Sequence, residues 1–336
     1  SGAEAVEAAL KMCRSATGRT GILSTENSFH GKTMGALSAT GNSAYQTPFG
    51  APLEGFSYIP FGDLSALKDE LQGSPDRYAA FIVEPIQGEG GIVVPPDGYL
   101  AGVQEICQEY GVLLIFDEIQ TGLGRTGKLF ACEDEGVSPD VMVLSKALGG
   151  GLMPIGACLS SAKAYNEAFA MNHSSTFAGN SLACRVALKA LDLLCDEKQE
   201  LLKNVEEKGT LLKDSLQALQ AQYPQIVKAI RGRGLMLGIE FGLDRDTFPG
   251  SMLGIMAEQE LLTPVISAYL LNKEKIRVAP TLNGNAVIRV EPPLIISGDE
   301  CLQALKGIER ALAGLSEGNT AKLLSFLVGD DQERNF

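Results

Sequence analysis

The chain has 336 residues, of which 45% are hydrophobic and 21% charged, so neither a disordered nor a collagen-like class describes it. Its 28 lysines and arginines against 41 aspartates and glutamates give a net charge of −13, which argues against a nucleic-acid partner. The uncharged, glycine-rich stretch 147–162 is shorter than a transmembrane helix needs, and no signal peptide is visible, so we predict a cytoplasmic protein without a membrane partner.

The cysteines give no sign of a metal centre or a disulfide framework. Seven of them are scattered along the chain, no pair has the C-x-x-C spacing, and only two histidines are present. We therefore predict reduced, buried thiols and no metal site.

The first residues carry the pattern of a helix start. Ser1, followed three residues later by Glu4, forms a capping box, and the apolar residues Val6, Ala9 and Leu10 follow with helical spacing. Because a natural domain rarely opens on a capped helix, we expect this sequence to belong to a longer chain.

Short apolar runs then alternate with helical patterns. The predicted strands cover residues 21–25, 56–59, 79–83, 112–116, 141–144 and 155–159, with helices at 63–71 and 99–110 between them. Buried runs that are joined by helices predict an α/β fold with a mainly parallel sheet, covered on both faces.

The character of the sequence changes after a strong helix at 183–194. A charged amphipathic helix at 198–221, strands at 235–241, 275–279 and 287–290, and a helix at 299–315 follow it. We predict a large domain at 1–196, a smaller α+β domain at 197–316 and a tail at 317–336.

Two glycine-rich segments resemble nucleotide-binding motifs but lack their context. Residues 122–127 match G-x-G-x-x-G, yet they do not directly follow their strand, and the acidic Asp117 and Glu118 that precede them would repel a pyrophosphate. Residues 30–33 end like a P-loop, but Glu26 stands where its first glycine belongs. We reject both interpretations.

Three other features converge on one edge of the predicted sheet. Asp117 ends one strand, Lys146 follows another, and the helix capped by Ser1 offers free backbone N–H groups beside the small Gly2. Taken singly, each is compatible with a surface charge, an ion pair or an ordinary cap. Together they suit pyridoxal phosphate, which needs a lysine, an acid at its ring nitrogen and a seat for its phosphate.

At these residues the sequence resembles the class III, ornithine-type aminotransferases, which have pyridoxal-phosphate fold type I. The matching segments run in family order: SGAEAVEAALK (1–11), FHGKT (29–33), EPIQGEGG (84–91), DEIQTGLGRTG (117–127), SKALGGG (145–151), PIGA (154–157), STFAGN (175–180), RGRGLMLGIE (231–240) and RVEPPL (289–294). Each segment alone is weakly specific, but their joint order is highly specific.

The resemblance implies roles in binding and using the cofactor. Lys146 would form the Schiff base and shuttle the proton, and Asp117 would pair with the ring nitrogen. The remaining predicted cofactor residues are the phosphate-binding Ser1, Gly2 and Ala3, the ring-stacking Phe29 and Ile119, Gln120 at the 3-hydroxyl side, His30, and Glu84 as a supporting carboxylate. From the residues alone, Phe29 and Ile119 are equally compatible with the core, and His30 with a packed turn. His173 has no predicted role.

The resemblance also implies a partner subunit and two residues that bind the substrate. Thr176 resembles the residue that reaches the cofactor of the partner subunit, which predicts a homodimer. Arg289 matches the arginine that binds a substrate carboxylate, and Glu89 the acid that pairs with that arginine when the substrate lacks one. From composition alone, Thr176 is also compatible with a capping residue, and Glu89 and Arg289 with a structural ion pair.

The predicted function is therefore a ping-pong transfer of an amino group from an amine or amino acid to a terminal aldehyde or keto acceptor. Within the family, residues 263–283 are similar to the aminotransferase domain of prodigiosin-type, alkylpyrrole-forming enzymes, which aminate a keto-aldehyde. Putrescine, ornithine and acetylornithine aminotransferases remain the alternatives. Decarboxylation or aminomutation on the same scaffold, and a non-catalytic scaffold role, are the competing classes.

Overall fold

The computed structural model describes residues 1–242, 254–256, 259, 261–281, 283, 286–318 and 323–324. They form two compact units, Ser1–Lys203 and Asn204–Phe336. The predicted three-part division stays a prediction, and most of its tail at 317–336 lies outside the described residues, as does part of the region at 263–283.

The first unit contains a six-stranded sheet in the order β2-β1-β3-β4-β5-β6. Its strands are β1 (Gly21–Thr25), β2 (Phe56–Ile59), β3 (Tyr78–Val83), β4 (Leu113–Asp117), β5 (Val141–Leu144) and β6 (Ala157–Ser160). All neighbouring pairs are parallel except β5 and β6, which are antiparallel. The predicted α/β fold with a mainly parallel sheet is confirmed.

Helices cover both faces of this sheet. They are α1 (Gly2–Thr17), α2 (Met34–Ala39), α3 (Ser43–Gln46), α4 (Leu64–Gly73), α5 (Tyr99–Glu109), α6 (Glu167–Asn172) and α7 (Ser181–Leu194), with short 3₁₀ turns at Thr47–Phe49, Ala131–Glu135 and Lys146–Gly149. Every residue of β3 is buried, because successive side chains point to opposite faces and both faces are covered.

Alternate residues of β3 therefore belong to different cores. Ala80 and Ile82 pack with α1 on one face, whereas Phe81 and Val83 pack with α4 and α5 on the other. The predicted capping box at the start of α1 is present, and Gly18 ends that helix with a left-handed φ of 69°.

The second unit contains a four-stranded antiparallel sheet in the order β7-β8-β10-β9. Its strands are β7 (Val227–Arg233), β8 (Met236–Phe241), β9 (Ala279–Pro280) and β10 (Val287–Val290), and its helices are α8 (Glu200–Gln222), α9 (Leu262–Asn272) and α10 (Gly298–Ser316). One apolar cluster from these elements, including Leu237, Ile266, Ile288 and Leu312, forms its core.

The prediction of a strand at 275–279 is wrong. Lys275 has a left-handed φ of 58°, which breaks an extended run, and the described strand is only the two residues of β9. The sequence patterns also missed β7 and α9. Burial along β7 does not alternate regularly, and Pro264 in the first turn of α9 resembles a helix breaker although the first turn tolerates it.

Candidate active site

The carboxyl ends of three neighbouring strands carry polar side chains. Glu84 follows β3 directly, Asp117 is the last residue of β4, and Lys146 comes shortly after β5. Because these strands are parallel, their carboxyl ends meet at the same edge of the sheet, where open α/β folds bind ligands.

Asp117 and His30 form a buried pair at this edge. The Asp117 Oδ2 lies 2.7 Å from the His30 Nδ1, and the two side chains are 4% and 0% exposed. An ionised carboxylate only accepts hydrogen bonds, so His30 donates here, and the backbone N–H of Ile119 donates to the Asp117 Oδ1 over 3.0 Å. The His30 Nε2 is buried and has no hydrogen-bond partner among the described residues. A buried negative charge is therefore held in one orientation.

Glu84 connects two loops of the same edge. Its Oε1 accepts the backbone N–H of Phe29 at 2.9 Å, and its Oε2 accepts that of Gly88 at 3.0 Å. Burial, helped by the charge of Asp117, raises the pKa of Glu84 to about 7, against the opposing effects of the His30 charge and of the two backbone N–H donors. Glu84 thereby fixes the loop that presents Phe29.

Lys146 reaches the loop that follows β4. Its Nζ donates to the Gln120 Oε1 over 2.8 Å, and its backbone has a left-handed φ of 42°. A Cβ atom on Gly88 would lie only 2.5 Å from the same Gln120 oxygen, so the glycine makes room for this contact. The Ser145 hydroxyl donates to the Ile155 carbonyl over 2.7 Å and holds the start of the lysine turn.

The start of α1 lies against the same loops. A Cβ atom on Gly2 would come within 2.9 Å of the Ile119 Cδ1, and one on Gly31 within 2.9 Å of the Ala3 Cβ. A Cβ atom on Gly156 would come within 2.2 Å of the Ser1 carbonyl oxygen. These close approaches bring the free N–H groups of a helix start, an anion-binding arrangement, next to Ile119 and the His30 loop.

The two predicted ring-stacking residues are both half-buried. Phe29 makes an edge contact with Tyr45 at a centroid distance of 6.4 Å, and Ile119 packs at the border of the core that contains α1. Glu84 accepts a hydrogen bond from the backbone N–H of Phe29, and Asp117 accepts one from the backbone N–H of Ile119. Both are thus fixed by carboxylates of the site.

The structure does not gather every predicted residue. Thr176 is exposed in the connection between α6 and α7, Glu89 is 9% exposed after β3, and Arg289 lies on β10 in the second unit. The Arg289 Nη2 donates to the Pro280 carbonyl over 3.5 Å. The roles of these three side chains stay predictions.

Two glutamates that hold loops of this edge, Glu118 and Glu7, were not predicted from the sequence. Glu118 is fully buried and accepts hydrogen bonds from the Thr121 hydroxyl and, over 2.9 Å, from the Cys132 N–H; burial raises the pKa of its carboxyl group. The Glu7 Oε1 accepts from the Thr33 hydroxyl at 2.7 Å and the Gly35 N–H at 2.8 Å. The signal available for Glu118 was the threonine three residues after it, at the end of a strand. Glu7 gave no such signal, because its partners Thr33 and Gly35 are distant in the sequence.

The donor set fits pyridoxal phosphate. A buried acid–histidine pair, a primary amine, a helix start and two half-buried apolar side chains are the groups that this cofactor requires. Among the residues described, no cluster of three or more histidine, cysteine or carboxylate side chains could hold a metal ion. No helix in the described ranges is both long and apolar enough to cross a bilayer.

Comparison with known proteins decides the family. The family model "Aminotransferase class-III" matches residues 1–312. This chain is a class-III aminotransferase. As members of this family are, it is a pyridoxal-phosphate-dependent transaminase that acts on small molecules, and the sequence prediction of family, fold and cofactor is confirmed.

Solved structures agree with this assignment. An ornithine aminotransferase from Toxoplasma gondii ME49 is 36% identical with a TM-score of 0.81, over 94% of this chain and 72% of that one. An (S)-enantioselective omega-transaminase from Thermomicrobium roseum is 33% identical with a TM-score of 0.82, over 94% and 74%. A PLP-bound amine transaminase from an uncultivated Pseudomonas species is 31% identical with a TM-score of 0.80, over 93% and 75%.

Proposed function

We propose that this class-III aminotransferase transfers the terminal amino group of an amine or amino acid, in two half-reactions, to an aldehyde or keto acceptor. The observation that carries the proposal is the Lys146 amine, bonded to Gln120 at 2.8 Å, on the same sheet edge as the buried Asp117–His30 pair. A primary amine and a buried carboxylate at one edge supply a proton carrier and a fixed negative charge.

The cofactor would be bound by the segments that the structure holds together. Phe29 and Ile119 are assigned to the two ring faces, Gln120 to the 3-hydroxyl side, and the N–H groups of Gly2 and Ala3 to the phosphate. Ser1 caps the helix that carries these N–H groups, which supports the assignment. When bound, pyridoxal phosphate supplies an electron-poor ring that stabilises negative charge at the substrate carbon.

Asp117 is assigned to hold a proton on the ring nitrogen. Its carboxylate is buried, so its charge acts at full strength in a medium of low dielectric constant. The hydrogen bonds from the His30 ring and from the N–H of Ile119 occupy one acceptor site on each oxygen and fix the direction of the carboxylate. His30 and Glu84 would act through Asp117 and Phe29, as positioning residues.

Lys146 is assigned to move the proton. In its neutral form the Nζ can take a proton from the substrate carbon, and the protonated amine can return it on the other side of the reaction. Gln120 accepts a hydrogen bond from this amine and sets its starting position. The exposed Lys146 side chain has room for such a movement.

Exposed apolar side chains next to Thr176 in the chain support a homodimer. Met171, Phe177 and Leu182 are 82%, 81% and 62% exposed. Side chains of this size are usually covered where they cluster, and members of the family are generally dimeric. We propose that a second copy of the chain covers these side chains and that Thr176 enters the cofactor site of that copy.

The substrates are assigned by class. Arg289 would bind a substrate carboxylate and Glu89 would serve substrates that lack one. The Toxoplasma gondii relative is an ornithine aminotransferase, which favours ornithine as the donor. The resemblance at 263–283 favours a keto-aldehyde acceptor in alkylpyrrole biosynthesis. Putrescine is the simplest donor that tests a terminal amino group without a carboxylate.

We propose a cytoplasmic location for this protein. All seven cysteines are free thiols, which fits a reducing compartment. Fractionation of the native protein with cytoplasmic and exported marker enzymes tests this location.

Visible absorption of the cofactor-loaded protein tests the function. We expect the band to fall on addition of L-ornithine, putrescine or L-glutamate, with the best donor acting fastest, and to return with an aldehyde. A band that no amine changes would contradict transamination. Gas evolution or an isomeric product would instead show decarboxylation or aminomutation.

A further inference from the structure

A short segment before Thr176 is bonded along one side of α1. This segment, residues 166–175, is called the strap below. Three hydrogen bonds join the two: Ser175 Oγ to Glu4 Oε1 at 3.1 Å, Lys11 Nζ to His173 Nδ1 at 3.1 Å, and Ser15 Oγ to Asn166 Oδ1 at 2.7 Å. The strap runs antiparallel to the helix, so its last residue lies at the helix start.

The three positions on α1 share one helix face. Residues 4, 11 and 15 are seven and four apart, which places them about one above another at 3.6 residues per turn. The same Asn166 oxygen also accepts the backbone N–H of Phe169 over 2.9 Å and caps α6. One polar face of α1 thus fixes both ends of the strap.

His173 is the centre of these contacts. Lys11 carries only donors, so the His173 Nδ1 must be unprotonated and accept. Burial and then the Lys11 charge lower the pKa of His173, against a smaller effect of Glu7. The imidazole also stacks on the Phe169 ring at a centroid distance of 4.8 Å. The neutral ring is therefore held between a helix and the strap's own turn.

We infer that the strap is a positioning element, in which Lys11, His173 and Ser175 hold Thr176 at a fixed place relative to α1. The inference rests on the proposed function, because it uses Thr176 as a residue that enters the partner's cofactor site. The helix whose N–H groups are assigned to one phosphate would then also carry the loop that contacts the other cofactor.

A mutant cycle on the holoenzyme tests whether the strap acts through Thr176. The variants are His173→Phe, Thr176→Val and the double mutant. His173→Phe keeps an aromatic ring that can stack on Phe169 but removes the nitrogen that accepts from Lys11. The readouts are the rate of cofactor loss and amide hydrogen exchange at 173–177. Lys11→Met is a second variant at the same bond, and Lys68→Met, an exposed lysine on α4, is the matched control.

We expect Thr176→Val to speed cofactor loss about 10-fold, as for loss of a hydrogen bond to a charged group, and His173→Phe or Lys11→Met about 3-fold. The double mutant should lose cofactor no faster than Thr176→Val alone, and exchange at 173–177 should rise in both strap variants. Multiplying effects, or unchanged exchange, would overturn the strap. If Thr176→Val alone changes nothing, the proposed role of Thr176 fails, and the exchange data still decide whether the strap orders this loop.

Discussion

The two sheets of this chain treat charged side chains in opposite ways. In the first unit, Glu84 and Asp117 are buried at strand ends, and their oxygens accept hydrogen bonds from backbone N–H groups or from the His30 ring. In the second, Glu240 lies on β8 and pairs across the strands with Arg231 and Lys228, whose side chains are 27% and 67% exposed. One sheet isolates charge, and the other leaves it in contact with water.

Strand direction explains the difference. Parallel strands bring their carboxyl ends, and the loops that follow, to one edge, where loop N–H groups are available to a buried carboxylate. Antiparallel strands place their ends alternately at both edges, and their neighbouring residues pair across the ladder instead. Buried charges of the first kind suit chemistry, and exposed pairs of the second kind contribute little stability.

The largest effect should come from Lys146→Ala. The variant loses both the amine that carries the proton and the bond to Gln120, so we expect kcat to fall about 10⁴-fold or more. Steady-state transamination measures it. Lys163→Ala, which removes an exposed lysine paired with Asp140, should keep the wild-type rate. Retained turnover in the Lys146 variant would end the assignment.

Asp117→Asn should have the next largest effect. The amide keeps the shape but removes the negative charge that faces His30, and we expect kcat to fall about 10³-fold. Asp140 is the matched control, because it bonds the Leu114 N–H at 3.0 Å from the amino end of β5. If Asp140→Asn reduces kcat as strongly as Asp117→Asn, the effect does not depend on the position of Asp117 at the carboxyl ends of the strands.

Glu84→Gln should change the pH dependence of stability. The folded pKa of Glu84 is raised from its ordinary 4.5 to about 7, so between these values the folded chain keeps a proton that the unfolded chain releases. The free energy of unfolding therefore falls as pH rises through this window. We expect the wild type to lose on the order of 3 kcal/mol more than Glu84→Gln across it.

Urea unfolding of both proteins at pH 5 and pH 8 measures this difference. Glu54→Gln, at an exposed glutamate in the same unit, controls for the loss of a carboxylate. Parallel pH profiles for the wild type and Glu84→Gln would show that Glu84 does not titrate in this window.

Gly88→Ala should have a smaller effect on catalysis. The new methyl group would come within 2.5 Å of the Gln120 Oε1 and displace the carboxamide from Lys146, so we expect kcat to fall about 10-fold. Gly73→Ala is the matched control, since a Cβ atom there meets nothing within 4 Å. Equal losses in both variants would point to the backbone rather than to Gln120.

Glu240→Gln should have the smallest effect. It removes partly exposed ion pairs with Arg231 and Lys228, so the free energy of unfolding should change by about 1 kcal/mol or less, and less still at high salt. Its kcat should equal that of the wild type. A loss of activity would show that the ion pairs of Glu240 do more than stabilise the fold.

The sequence predicted the parallel sheet well, because buried strands such as β3 and the helices between them have distinct periods. It also indicated Asp117 and Lys146, which stand at strand ends. It could not reveal contacts between residues distant in the chain, such as Asp117 with His30 or Glu7 with Thr33. Backbone conformation was equally hidden: nothing in the residue type of Lys275 predicts the left-handed backbone at the first residue of the strand-like run 275–279.

The left-handed backbone of Lys146 has a consequence for protein engineering. Its φ of 42° costs a residue with a side chain roughly 1 to 2 kcal/mol, whereas glycine adopts it freely. The residue assigned to the chemistry therefore occupies a position at which glycine would make the fold more heat-resistant. A directed-evolution campaign that selects for thermostability alone would favour the inactive chain at this position, so activity must be screened in parallel.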